Sequence, residues 1–441
     1  MPAVRLLSPP HGKVIAPRRG AKKLPVTQKS PQRKEKTAVE HPPSLNLAPA
    51  VRRSRTLPLL TAQQIAKLTP KLADVIEYRK SGLSLNHVIG CPLECGYCIR
   101  HLYGNWGMKT PRLLMSDEDA VAELIGHRYF RPHITPVQLF NKATDPMLPV
   151  VKPHTLNTLR LLDEQGLTNH VLVITRWRVE PEDCQALNSY RNLKVTVLVT
   201  HSNIQHDGIE PVDSNIAATS LKVLHEHADR YRVILYWRPI VPGLNDSDED
   251  IARAAELGRR AHATVFTGLF YRNEIAAYYR EMGLPEPYDT TARRKIMPET
   301  LESRILAAFR RPSDEEQPFG PLFRKTSCAV AYAHQMADYN GHYGIRELCD
   351  ICPRRQVGLC AQAWKAPAQE DVDRAAAQLG ATGPVQITDR AVITEGLGEQ
   401  PRYFLQHGYG FQVHDRSHPH RPRRHGRAEI GWQDSEGTPR P

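Results

Sequence analysis

Between residues 83 and 269 short apolar runs alternate with amphipathic stretches, and this rhythm limits what the chain can fold into more than any other feature. The runs, at 83–89, 136–140, 170–174, 194–199, 232–237 and 264–269, are rich in β-branched and aromatic residues. Stretches with helical spacing lie between them, at 117–127, 153–165, 182–190, 214–227 and 249–262. Their ends carry matching signals. Ser116 is placed to cap the first, and Gly166 follows the second as a C′ glycine. Pro181 suits the first turn of the third, and Asp246, Asp248 and Glu249 place negative charge at the positive end of the last. Strand–helix alternation of this kind predicts an α/β fold, a parallel sheet with helices outside. Upstream, Ala62, Ile65, Leu68, Leu72, Val75 and Ile76 carry helical spacing over 62–79, broken at Pro70.

Just after the first run and Gly90 come Cys91, Cys95 and Cys98, with three and then two residues between them and Tyr97 before the third. Thiolates bind soft metals, and iron–sulfur clusters are usually held by four. Three local thiolates leave one iron of a cubane open to a small molecule, as open catalytic metal sites are. Zinc, with His101 as a fourth ligand, and surface thiols are the other readings.

The cysteine spacing with its aromatic resembles the signature of the radical S-adenosylmethionine superfamily. That resemblance implies a 4Fe–4S cluster on Cys91, Cys95 and Cys98, with S-adenosylmethionine chelated at the open iron. It further implies reductive cleavage to a 5′-deoxyadenosyl radical, a flavodoxin or ferredoxin-type reductant, and a partial (β/α)6 TIM-like barrel. Segments 144–149, 173–176 and 238–246 are similar to the spore-photoproduct-lyase-like branch, also labelled DNA repair photolyase-like. Two positions depart from that branch. Val150 and Val151 stand where it often has a glutamate. Asn141, Lys142 and Ala143 stand where true lyases carry a hydrogen-donating cysteine, and Cys184 lies far off on an expected helix. The resemblance therefore implies the radical-generating chemistry and not the lyase reaction.

In βα barrels the chemistry sits at the carboxyl ends of the strands. Those ends are polar here, and Thr144, Asp145, Thr175, Arg176, Thr200, Ser202 and Arg238 have the donors and acceptors that S-adenosylmethionine requires. No single catalytic residue stands out.

A second cysteine group, Cys328, Cys349, Cys352 and Cys360, follows an expected helix at 293–309 and a linker at 311–320. Four thiolates suit an auxiliary iron–sulfur cluster or a tetrahedral zinc, with structural thiols as the third reading. His334 and His342 are alternative ligands. Residues 367–413 read as a small α+β module, with a helix over 367–379 and strands at 385–388, 391–395 and 402–413. Tyr403, Phe404, Tyr409 and Phe411 would then form an aromatic face for the module core. The expected divisions are a disordered basic extension (1–57), the barrel (58–310), the cysteine-rich segment (321–365), the module (366–413) and a disordered tail (414–441).

The net charge of +12 is uneven. Residues 1–60 hold 13 Lys and Arg against 2 acids, and 414–441 hold 6 Arg against 4 acids, so the body between is nearly neutral. Such tails fit nucleic acid or an acidic partner. No run approaches the ~20 apolar residues of a membrane span. Of the 8 cysteines all but Cys184 cluster, which in a reducing compartment reads as metal binding and points to the cytoplasm. The functions that follow are a radical enzyme acting on nucleic acid, the same chemistry on a small metabolite or peptide, or a non-catalytic metal-stabilised nucleic-acid-binding protein.

Overall fold

The computed structural model describes residues 56–289, 291, 297–310 and 320–417. The expected basic extension (all but its last two residues), the linker up to residue 319 and the tail beyond 417 lie outside the described residues. The first ten strands in chain order are β1 (Ile76–Arg79), β2 (Gly82–Leu85), β3 (Val88–Ile89), β4 (Arg112–Leu113), β5 (Val137–Leu139), β6 (His170–Thr175), β7 (Lys194–His201), β8 (Arg232–Ile240), β9 (Ala263–Gly268) and β10 (Leu322–Phe323). Eight of them form one sheet in the order β1-β2-β5-β6-β7-β8-β9-β10. β1 is antiparallel to β2, and every later neighbour is parallel. The six expected strands are all present, and β1 and the short β10 extend the sheet at its two edges.

The first expected strand divides in two. Asn86 is fully buried, and its side chain bonds Ser84 Oγ and the Ser84 carbonyl and accepts from the Lys142 amide. The chain turns out of the sheet there, and Val88–Ile89 pairs with β4 instead. This turn carries the cysteine loop over the carboxyl edge of the sheet.

The helices between strands are Asp117–Gly126, Lys152–Glu164, Pro181–Ser189, Ser214–Glu226 and Asp248–Gly258. Ser116 caps the first by accepting from the Asp119 amide, Pro181 opens the third, and Ser247 forms a capping box on the last. The strands bury both faces. Val173, Val197, Leu235 and Trp237 share a core with Leu159, Leu187, Leu221 and Ile251 of these helices. Alternate residues Leu172, Leu198, Ile234, Tyr236 and Val265 point to the inner face. There they meet Ala329 and Val330 of the helix Thr326–Ala333, with Cys328, Cys352 and Tyr339 packed alongside.

Two elements differ from the sequence reading. Residues 62–79 form two short helices, Ala62–Ile65 and Pro70–Ala73, and then strand β1, because Ile76 pairs with Leu85 of β2 and this pairing outweighs the helical spacing. In the C-terminal module the expected strand at 402–413 is a helix, Glu399–Tyr409, ended by Gly410 at φ +59°. It is followed by a strand, Gln412–Asp415. The module is α+β as expected: the helix Gln369–Gln378 and β11 (Gln386–Ile387), β12 (Ala391–Thr394) and β13 (Gln412–Asp415). The module runs past residue 413: buried Asp415 accepts from Thr394 Oγ1 at 3.0 Å and the Leu397 amide at 2.8 Å. Among the described residues no helix is long and apolar enough to cross a membrane.

Candidate functional site

The cysteine loop leaves β3 through Gly90, at φ +94°, where a Cβ would stand 2.4 Å from the Thr110 carbonyl oxygen. Only glycine fits there. The Cys91 amide donates to the Met108 carbonyl at 2.9 Å, the Gly96 amide to Ile209 at 2.8 Å, and the Cys98 amide back to Cys95 at 3.0 Å. Arg100, 1% exposed, fills the loop from within, donating to the Leu93 carbonyl at 2.6 Å and the Met108 carbonyl at 3.2 Å and lying on the Trp106 ring.

Cys91, Cys95 and Cys98 all line one cavity of about 190 Å³. Its other walls are the carboxyl ends of the parallel strands: residues 140–145 after β5, 174–176 at the end of β6, Thr200 of β7, Arg238 of β8 and 267–270 at β9. Of the seven candidate cofactor-binding residues, six line this cavity. Ser202 does not, because its hydroxyl donates to Glu210 Oε2 at 2.8 Å.

The six divide by what their polar groups already do. The Asp145 carboxylate accepts from Thr175 Oγ1 at 2.6 Å, the Arg176 amide at 2.8 Å and the Met147 amide at 2.9 Å. It fastens the loop after β5 to the end of β6, and Thr175 is used in the same clamp. Burial pushes the Asp145 carboxyl up, against these hydrogen bonds. The Arg176 guanidinium pairs with Glu210 Oε2 at 3.0 Å and donates to the Tyr97 hydroxyl, which itself donates to Glu210. Thr144, Thr200 and Arg238 are the three left for a ligand. The hydroxyls of Thr144 and Thr200 are buried without a partner. Arg238 makes no hydrogen bond among the described residues and lies 4.0 Å from the Tyr236 ring centroid. Buried polar groups are normally paired, so these are the groups a polar ligand would satisfy.

Two residues of the site were missed from sequence. Thr267 also lines the cavity with a buried, unpartnered hydroxyl; it lay inside an expected strand rather than at its end. Glu210, 7% exposed, gathers Tyr97, Arg176 and Ser202 and accepts from Cys95 Sγ at 3.8 Å, yet sits in a loop that has no sequence signature. Burial raises the thiols of Cys91 and Cys95 and the Tyr97 phenol; for Cys95 the Arg176 charge opposes the rise and Glu210 adds to it.

The zinc alternative with His101 does not match this geometry. Four ligands about 2.3 Å from one ion stand within ~4 Å of each other. Among the described residues, the group that brings three such ligand atoms within 4.8 Å of one another is Cys328, Asp338 and His342, not the loop cysteines. His101 stacks on Trp106 at 4.0 Å instead, and burial lowers its pKa to about 4. Cys184 is buried on its helix and is not a cavity residue.

The second group does converge. Cys328 lies on Thr326–Ala333, Cys349 ends Arg346–Cys349, Cys352 follows, and Cys360 lies on Arg354–Ala363. Each of the other three sulfurs is near enough to raise the Cys328 thiol further, beyond the effect of burial and Asp338. Buried Arg324 ties the segment to the barrel through Glu302 and Asp350. His342 is part of the group, and His334 is not: its Nε2 is 2.9 Å from Thr196 Oγ1.

No family model matches the chain, and no curated protein matches it. Similar solved structures include spore photoproduct lyase complexed with dinucleoside spore photoproduct, 14% identical, with a TM-score of 0.37, covering 49% of this chain and 64% of that one. A substituted form of that lyase with bound AdoMet and dinucleoside spore photoproduct is 13% identical, with a TM-score of 0.38, covering 56% and 74%. SuiB of Streptococcus suis bound to S-adenosylmethionine is 10% identical, with a TM-score of 0.32, covering 50% and 46%. The chain thus spans less than two thirds of the first lyase structure and about half of SuiB. These structures, to which the chain is similar over about half its length, are of radical S-adenosylmethionine enzymes.

Proposed function

We propose that this chain is a radical S-adenosylmethionine enzyme, with Cys91, Cys95 and Cys98 as ligands of a 4Fe–4S cluster. One arrangement carries the reading. Three cysteines of one loop line a cavity at the strand ends without closing on a single ion, and three unpartnered threonine hydroxyls and Arg238 share that cavity. A cluster held by these cysteines, given one electron from a flavodoxin- or ferredoxin-type reductant, would supply the reductive cleavage of S-adenosylmethionine that enables hydrogen abstraction from a substrate.

The chain's own residues have separate tasks. Arg238, which makes no side-chain hydrogen bond among the described residues, is placed for a carboxylate, and Thr144, Thr200 and Thr267 offer hydroxyls to ammonium and ribose groups. Asp145 and Thr175 hold the wall in shape. Tyr97, Arg176 and Glu210 anchor the cysteine loop to the sheet. The lyase reaction itself is not part of the proposal. Asn141, Lys142 and Ala143 supply no thiol there, and Lys142 is fully buried with its ammonium donating to the Lys71 and Asp74 carbonyls at 2.6 and 3.0 Å.

The test is anaerobic reconstitution with iron and sulfide, then S-adenosylmethionine with dithionite or a flavodoxin-type reductant. The expected product is 5′-deoxyadenosine, absent in a folded Cys98→Ala variant. A fully loaded protein that forms none would leave the metal-stabilised binding protein as the better reading.

A further inference from the structure

The second cysteine group has a geometry that specifies more than metal binding. Its four sulfurs come from three helices and one turn, and all lie within electrostatic reach of Cys328. Yet the compact single-ion grouping found among the described residues joins Cys328 to Asp338 and His342 rather than to the other three sulfurs, whereas four sulfurs on one zinc would stand ~3.8 Å apart. A cubane places each thiolate on a different iron and so holds them wider. Cys360 Sγ accepts from the Asp338 amide and from Gln356 Nε2, both at 3.4 Å, the N–H···S pattern that stabilises cluster thiolates. The compact trio Cys328, Asp338 and His342 is the rival, a mixed single-ion site. Its carboxylate and imidazole are already joined, however, with His342 Nδ1 2.8 Å from Asp338 Oδ2.

The location is equally specific. Cys328 and Cys352 pack on the inner face of the sheet against the apolar layer that includes Ile234 and Tyr236. Ile174 belongs to that layer and also lines the cavity above. The second group therefore lies beneath the floor of the cavity, on the same face of the sheet.

We propose that Cys328, Cys349, Cys352 and Cys360 hold a second, fully ligated cubane iron–sulfur cluster that supports the floor of the cavity. With four thiolates on four irons it has no open position, so it does not bind S-adenosylmethionine. The inference rests on the proposed function only for the role of the first loop.

The test uses the full chain, purified and reconstituted anaerobically. The wild type is expected to carry about eight irons and eight sulfides, and the Cys91→Ala, Cys95→Ala, Cys98→Ala triple variant about four of each. The electron paramagnetic resonance signal of the reduced triple variant should not move when S-adenosylmethionine is added. Adding Cys352→Ser to the triple variant should lose the remaining iron. Mössbauer spectra of the wild type give a check that needs no variant: S-adenosylmethionine should perturb one iron in about eight. One zinc per chain without sulfide in the triple variant overturns the proposal, as does no metal in a folded triple variant or a signal that shifts with S-adenosylmethionine. If the reading of the first loop alone is wrong, wild type and triple variant will carry equal iron.

Discussion

At the residue scale the site separates groups that hold the protein together from groups left for a ligand. Thr200 is in the second class. Its hydroxyl has no partner among the described residues, so Thr200→Val should leave the urea unfolding midpoint unchanged. One hydrogen bond is worth about 0.5–1.5 kcal/mol, so the same change should raise the KM for S-adenosylmethionine roughly 2- to 13-fold. Equal loss of both would make Thr200 structural. Glu210 is in the first class. Glu210→Ala leaves the partly buried Arg176 charge without its carboxylate; breaking a fully buried pair costs about 3–5 kcal/mol, and this partly exposed one should cost somewhat less. Urea titration should show this as a large fall in midpoint; a shift under ~1 kcal/mol would mean that water or Tyr97 replaces the carboxylate. Thr144, Thr200 and Arg238 were legible because strand ends in a βα fold face the site. The inward clamps on Asp145, Thr175 and Ser202 were not, since they depend on partners brought in by folding.

At the scale of elements the strand–helix rhythm located the sheet because each apolar run is buried on both faces and cannot be a surface helix. The reading failed at the two stretches that fold against each other. Ile76 looked helical and Tyr403, Phe404 and Tyr409 looked like a strand, yet β1 and the helix Glu399–Tyr409 form one joint. Tyr78 OH meets His407 Nδ1 at 2.8 Å, His407 Nε2 meets Asn340 Oδ1 at 2.8 Å, and Gln400 Oε1 accepts from the Tyr78 amide at 3.0 Å. Such pairing spans hundreds of residues and leaves no local periodicity. Burial lowers the His407 pKa to about 3, so this ring folds neutral. The unfolded chain then takes up a proton near pH 6.5 that the folded one refuses until about pH 3. Stability from this joint is full above pH 6.5 and falls as pH drops toward 3, by on the order of 2 kcal/mol at pH 5. Urea unfolding at pH 7.5 and pH 5 should show the loss, and His407→Gln should reduce it. A pH-independent midpoint would show that the joint accommodates an imidazolium.

At the scale of the whole molecule the positive charge lies mainly outside the barrel, in residues 1–60. If that segment holds nucleic acid, removing residues 1–55 should weaken DNA or RNA binding and flatten its salt dependence. Unchanged binding would assign the contact to the body, whereas no binding by the full chain would favour a metabolite or peptide substrate. The joint between β1 and the C-terminal helix has one more consequence. β1 is an edge strand of the sheet, and the amide of Tyr78 on that edge is satisfied by Gln400, a residue the ribosome adds more than 300 positions later. A nascent chain that has already emitted the whole barrel still exposes an open edge until the helix Glu399–Tyr409 emerges, and an open edge invites pairing with another chain. A chain cut short before residue 399 would keep that edge open and be prone to associate with its copies.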